Sequence, residues 1–331
     1  MKYFALILLN FIIFGNVIKN IEFNNNITLK IKGSGKQRFI NTNAEKYHAH
    51  CPNETSYING TTIGNNLCEA YLEKEENIII LKWNNAIDGY NLFTGLTNIT
   101  EINFFDCTII SSMHEIFLGC INLKSINFTG LHINTIKNPV DTIFRSFINC
   151  ESLYSLDLSP LVLPKLDFRN LFDNCKNLEY INFINYDESK VRYGWALEFD
   201  DKVPHNLVIC INETLAPKLY SSLIKRACTI IYCGNDWREK QKKIIEDNNT
   251  CVETCPTSSE YKYEYHNRCY KKCPEGLIEY NNKCSLKDDI ITNSEFNSKS
   301  SMTINIKEIS YDFTQNEDEI LLTKNIKKNR I

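Results

Sequence analysis

Four stretches of this 331-residue chain place apolar side chains at the same spacings. With Phe93, Phe117, Phe147 and Phe172 each set as offset 0, apolar residues recur at offsets 0, 3, 6, 9 and 11. The copies read Phe93, Leu96, Ile99, Ile102, Phe104; then Phe117, Cys120, Leu123, Ile126, Phe128; then Phe147, Cys150, Leu153, Leu156, Leu158; then Phe172, Cys175, Leu178, Ile181, Phe183. Overall hydrophobic content is 43%, so twenty matches out of twenty have a chance of about 5 × 10⁻⁸ for independent positions, and the register is not an accident of composition. Offsets 9 and 11 alternate with polar neighbours, the period of a short strand with one buried face. The earlier offsets, three apart, predict a tight helical or 3-10 turn. No single turn-plus-strand unit can bury its apolar side alone, so the copies are expected to stack as coils of a solenoid.

The expected fold class is a β-rich leucine-rich-repeat-like solenoid of short strands plus turns or 3-10 segments, with a C-terminal strand-helix-strand cap and a small disulfide-rich module. Partial copies flank the array: Ile78, Leu81 and Trp83 fit offsets 6, 9 and 11 upstream, and Ile209 with Ile211 fit the strand downstream. Before the array, NITLKIKGSGKQRFI (26–40) predicts a hairpin around Gly33-Ser34-Gly35. After it, LVICI (207–211), ETLAPKLYSSLIKRA (213–227) and TIIYC (229–233) predict strand, helix and strand, and a second helix is expected from Asp236, whose side chain would cap it. The segment from Cys251 to Cys284 is poor in aliphatic residues and needs covalent staples. The predicted boundaries are 1–20 signal peptide, 21–85 N-terminal β cap, 86–205 solenoid, 206–250 α/β cap, 251–285 cysteine-rich module and 286–331 weakly ordered tail with one candidate strand at MTINIKEISY.

The Phe–Cys–Leu framework, as in FINCESLYSLDLS (147–159), resembles the BspA-like leucine-rich repeats over roughly residues 75 to 205. That resemblance implies a protein displayed at the surface of a bacterium or of a parasitic or gut-dwelling eukaryote. Only LDLSPLVLPKLDFRNLF (156–172) keeps the segment expected after the strand, and the copy at Phe117 carries an insertion around Asn138-Pro139. CxxxCP, written at Cys251–Pro256 and Cys269–Pro274, resembles furin-like or growth-factor-receptor-type cysteine-rich modules of extracellular proteins.

If offsets 9 and 11 face the core, their neighbours face outward. The binding candidates are therefore Glu101, Ser125, Ser155 and Tyr180 at offset 8, and Asn103, Asn127, Asp157 and Asn182 at offset 10; Phe105, Thr129, Ser159 and Ile184 follow at offset 12. They form either a recognition strip for an extracellular protein or glycan, or the ordinary polar side of a solvated sheet. Cys120, Cys150 and Cys175 fall on core offsets and are expected to pack reduced, as small hydrophobes; bridges between coils and a metal or catalytic role are the alternatives.

The opening MKYFALILLNFIIFG has the basic residue and short apolar run of a secretory signal, and no later run is long enough to span a bilayer. Fourteen cysteines behind such a signal make disulfides the default. Setting aside Cys107 and the three at offset 3 leaves Cys51, Cys68, Cys210, Cys228, Cys233, Cys251, Cys255, Cys269, Cys273 and Cys284, an even set consistent with five bridges, Cys51 with Cys68 the natural local pair. Two features resemble metal sites: His48-Ala-His50-Cys51, which lacks a matching cluster, and the paired CxxxC spacing, which could imitate a zinc site but reads as disulfides given CxxxC rather than CxxC. Glycosylation acceptors stand at Asn26, Asn53, Asn59, Asn98, Asn127, Asn212 and Asn248. A net charge of −3 with mixed signs gives no footprint for nucleic acid. No nucleophile elbow, HExxH or dinucleotide fingerprint occurs. The sequence thus points to a non-enzymatic recognition or adhesion protein, secreted or surface-associated, with no cofactor or metal. The alternatives are a soluble receptor-like fragment or decoy that binds through its cysteine-rich module and, less favoured, a secreted enzyme.

Overall fold

The alternation of NNITLKIK decides how the repeats begin. The computed structural model describes residues 25–41, 51–105, 107–109, 113–133, 143–161, 170–190 and 203–286. The signal-like segment, His48, His50, the insertion at Asn138-Pro139 and the tail with MTINIKEISY lie outside them. Ahead of the repeats run β1 (Asn25–Lys32), β2 (Gly35–Arg38), β3 (Ser56–Ile58), β4 (Thr61–Gly64), β5 (Glu69–Leu72) and β6 (Glu76–Trp83). β1 buries Ile27, Leu29 and Ile31 completely. It pairs antiparallel on one side with β6 and on the other with the first repeat strand, β7 (Ile99–Phe105). The expected hairpin at 26–40 does not form: β2 pairs with β5 instead. Gly33 and Gly35 both have positive φ, 113° and 79°, and they turn the chain out of the β1 sheet rather than back along it. Ile78 is also not a core residue. β6 is a continuous strand of period two, so Asn77, Ile79, Leu81 and Trp83 point inward and Ile78 outward, 53% exposed.

Seven more strands carry the coils: β8 (Cys107–Ile109), β9 (Ser125–Asn127), β10 (Leu131–Ile133), β11 (Ser155–Asp157), β12 (Tyr180–Phe183), β13 (Val208–Ile211) and β14 (Ile230–Ile231). They stack as a β-solenoid of about 6 turns. β7 pairs in parallel with β9, and β11, β12, β13 and β14 follow in parallel order. β8 and β10 form a second parallel ladder. All twenty positions of the apolar pattern are buried, and the offset-0 phenylalanines form a column with ring centroids 6.0, 5.6 and 5.6 Å apart. Two further offsets are buried in every copy: Leu92, Ile116, Ser146 and Leu171 at −1, and Cys107, Leu131, Leu161 and Tyr186 at 14. Ser146, the one polar member, donates its hydroxyl to the Met113 carbonyl at 2.5 Å.

The spacing of three comes from successive backbone bonds: the Cys150 amide donates to Phe147 O and Leu153 to Cys150 O, both at 3.1 Å; the copies at Phe117 and Phe172 do likewise, and the first copy makes the first of the two, Leu96 to Phe93 O. Entering and leaving this turn requires left-handed backbone. Residues at offset −2 (Asn91, Glu115, Arg145, Asn170) and at offset 2 (Gly95, Gly119, Asn149, Asn174) all have φ between 54° and 75°, a region that favours Gly and Asn. Side chains then join coil to coil. The thiols of Cys120, Cys150 and Cys175 donate to the carbonyls of Phe93, Phe117 and Phe147 at 3.1, 3.2 and 3.0 Å. At offset 5, Asn122 and Asn177 donate to Thr97 O and Glu151 O.

The last coils are held covalently. The helix between β13 and β14 is shorter than its sequence suggested, Pro217–Leu223. Proline suits its first turn, and the Glu188 carboxylate accepts from the Lys218 and Leu219 amides at 3.0 and 2.6 Å. The expected second helix is one turn, Trp237–Lys240, and Asp236 makes no side-chain cap; its carboxylate accepts from the Tyr232 hydroxyl instead. The β-branched pair Ile244–Ile245 belongs to a strand, β15 (Lys243–Ile245). β15 starts a sheet with β16 (Cys251–Val252), β17 (Tyr263–Tyr265), β18 (Arg268–Tyr270), β19 (Ile278–Tyr280) and β20 (Lys283–Ser285). Five disulfides form: Cys51–Cys68, Cys210–Cys233, Cys228–Cys251, Cys255–Cys269 and Cys273–Cys284. Cys228–Cys251 and the β15–β18 pairing tie the cysteine-rich segment to the chain before it.

Candidate functional site

The strand registers fix what the outward sheet face displays. Reading from β6 to β9, one row carries Ile78, Lys30, Glu101 and Ser125, and the next carries Ile80, Thr28, Asn103 and Asn127. Lys30 and Glu101 are cross-strand partners with Nζ 3.2 Å from the carboxylate, and this hydrogen bond raises the lysine pKa. A groove of about 330 Å³ opens on these rows, with Thr28, Lys30, Ile78, Glu101, Asn103 and Ser125 among its walls. Phe105, 66% exposed, lies on the same face of β7. The groove therefore offers one ion pair, several amide and hydroxyl groups and exposed Ile78, with Phe105 further along the same face.

Half of the residues singled out in the sequence meet there: Glu101, Asn103, Ser125 and Asn127 line the groove. Ser155, Asp157, Tyr180 and Asn182 continue on β11 and β12, outside its walls. That second half is partly covered. Tyr180 stacks on Trp237 with ring centroids 5.0 Å apart, burial followed by the nearby Asp157 raises its hydroxyl pKa, and Asn182 is half-buried. Arg238 lies over Trp237 at 4.7 Å and over Tyr154 at 5.8 Å.

The ladder at offset 10 has a structural duty of its own. The side-chain oxygens of Asn127, Asp157 and Asn182 accept from the backbone amides of Thr129, Ser159 and Ile184 at 2.9, 2.9 and 3.0 Å. These are Asx-turns, which explain why each strand stops where it does. Asn212 repeats the turn one coil later with Thr214.

Thr28, Lys30 and Ile78 were not foreseen. The polar phase of β1, Asn26, Thr28 and Lys30, is visible in the sequence, but its place beside Glu101 depends on an antiparallel pairing across some seventy residues. The repeated cysteines offer no nucleophile. Burial pushes the Cys120 thiol up to about 12 and those of Cys150 and Cys175 well above the ordinary range, the opposite of what a reactive thiolate requires. Cys51 is consumed by its bridge to Cys68 and is no longer a thiolate ligand for the His48-Ala-His50 fragment. Among the described residues no group of three or more His, Cys, Asp or Glu is placed to hold a metal ion, and no helix is long and apolar enough to cross a membrane. No protein-family model, curated protein or solved structure matches the chain.

Proposed function

We propose that this is a recognition protein, secreted or surface-associated, whose solenoid belongs to the leucine-rich-repeat kind and whose open sheet face binds an extracellular protein or glycan. The observation that carries the reading is the groove itself. Exposed Ile78 and Phe105 flank amides, hydroxyls and one ion pair, the mixture of apolar contact and orienting polar groups that binding sites share. The geometry also favours the β6–β1–β7 end over the β11–β12 end, which Trp237 partly covers.

The test begins with the secreted chain on glycan and protein arrays, followed by affinity measurement on the strongest hit. Ile78→Glu and Phe105→Glu alter exposed side chains and leave the Asx-turns intact. Each should weaken binding at least tenfold while the melting temperature stays within a degree or two. Unchanged affinity in both variants would sink the groove. In that case a hit captured equally well by the oxidised segment 251–284 would favour the second reading, a receptor-like fragment binding through its cysteine-rich module, where Ile278 and Tyr280 are exposed on β19.

A further inference from the structure

The seven acceptor sequons differ in what the fold does with the asparagine amide. At Asn127, Asn212 and Asn248 the side-chain oxygen turns back to accept from the amide two residues on, at 2.9, 2.9 and 3.0 Å. Asn127 and Asn248 are exposed and Asn212 is half-exposed. In all three the side-chain nitrogen has no protein partner among the described residues and is directed away from the turn that holds the oxygen.

Three of the others are committed. Asn98 donates from its side-chain nitrogen to Gln37 Oε1 at 3.0 Å and to the Arg38 carbonyl at 2.9 Å, using both hydrogens. Asn53 donates to Asn84 Oδ1 at 2.7 Å and to Asn85 Oδ1 at 3.4 Å, again using both. Asn26 sits within the six-stranded sheet between Lys82 and Phe105, with its carboxamide oxygen buried. Attaching a sugar replaces one of the two nitrogen hydrogens and needs open space beyond it, so at these three sites it breaks a bond or collides with the sheet. Asn59 is exposed and gives one hydrogen to Asn77 Oδ1 at 2.9 Å, which leaves the other open, so it belongs to neither group.

We propose that the folded, secreted chain carries N-linked oligosaccharide at Asn127, Asn212 and Asn248 and is bare at Asn26, Asn53 and Asn98. The inference rests on the secretory route of the reading above but not on its ligand. It also sharpens that reading, because a glycan on Asn127 stands on the β9 wall of the groove and leaves the β6–β1–β7 side, with Ile78, Lys30, Glu101 and Phe105, for docking.

The experiment expresses the full chain behind an unrelated leader in a eukaryotic secreting cell and takes the disulfide-intact monomer from the medium. Enzymatic release of N-glycans in heavy-oxygen water marks each formerly occupied asparagine for peptide mapping. Label at 127, 212 and 248 with unlabelled 26, 53 and 98 is the expected result. Label at 26, 53 or 98, or an unlabelled residue at any of the three predicted sites, overturns it. Asn127→Asp keeps the turn, as Asp157 does naturally in the next coil, while removing the acceptor. This variant should lose the mass of one glycan with an unchanged melting temperature; an unchanged mass overturns the assignment of Asn127. The map needs no ligand, so its failure is separate from failure of the groove.

Discussion

Cys150 shows how one residue type serves the repeat twice. Its sulfur fills a fully buried position, and its hydrogen adds a second bond to the Phe117 carbonyl, which also accepts from the Cys120 amide at 3.0 Å. Leu96 holds the equivalent place in the first copy, where no earlier Phe-x-x-Cys coil offers a carbonyl. Cys150→Ala removes the sulfur and should cost about 1 to 2 kcal/mol by leaving a cavity and removing one of the two bonds to the Phe117 carbonyl, measurable by denaturant unfolding. The four cysteines outside the disulfides are all buried, so a thiol reagent should find none in the native chain and four after denaturation without reduction. A thiol whose folded pKa lies above its unfolded one contributes stability that is complete below the unfolded value and disappears as pH rises through the folded one. For Cys120 that window runs from near 9.0 to about 12. Unfolding free energy should therefore fall by about 1.4 kcal/mol per pH unit per buried thiol across it; a flat profile from pH 9 to 11 would contradict the burial.

At the scale of the element, the turn preceding each strand is set by its two left-handed positions. Gly119 has φ 75°, and an added Cβ would meet only the Gly95 backbone, Cα at 3.6 Å and N at 3.8 Å. Gly119→Ala thus introduces backbone strain without a clash and should destabilise by about 1 kcal/mol. Asn149→Gly, at φ 60° in the next coil, suits the backbone but removes the oxygen that accepts from the Asn174 side-chain amide at 2.7 Å, and should cost about 1 kcal/mol. The signature was present in plain letters, FTGL, FLGC, FINC and FDNC, as were the buried strands, because each coil meets only its neighbours and its spacing repeats. What the letters could not carry was long-range pairing. The phase of β1 was readable, yet its partners β6 and β7 were not, and the nominal hairpin at 26–40 looked better locally than the pairing that wins. Ile78 was misplaced for the same reason: a spacing of three and two matched the repeat, while the true element was an eight-residue strand. Half of the candidate surface was legible because it lay on repeat strands; Lys30 and Ile78 were not, because they reach it from outside the repeats.

For the whole molecule, the two ends of the coil stack are finished differently. At the start, antiparallel β1 covers the open edge of β7. At the finish, Cys210–Cys233 and Cys228–Cys251 fasten the last coils, each bridge closing a separation of 23 residues. In a stack where each coil leans on the next, loss of a terminal coil exposes the one before it. The double replacement Cys210→Ser with Cys233→Ser should lower stability by about 3 kcal/mol on the chain-entropy account. Limited proteolysis should then cut first after β12, leaving the N-terminal sheet and the groove protected; first cuts in β1 or β6 would show that the stack does not fray from this end.

The side-chain ladders also have a sense of direction. Cys120, Cys150 and Cys175 reach back to Phe93, Phe117 and Phe147, and Asn122 and Asn177 reach back to Thr97 and Glu151. In every case the acceptor precedes its donor along the chain. A ribosome delivers residues in that order, so each emerging coil finds its docking carbonyls already in place on the coil made before it.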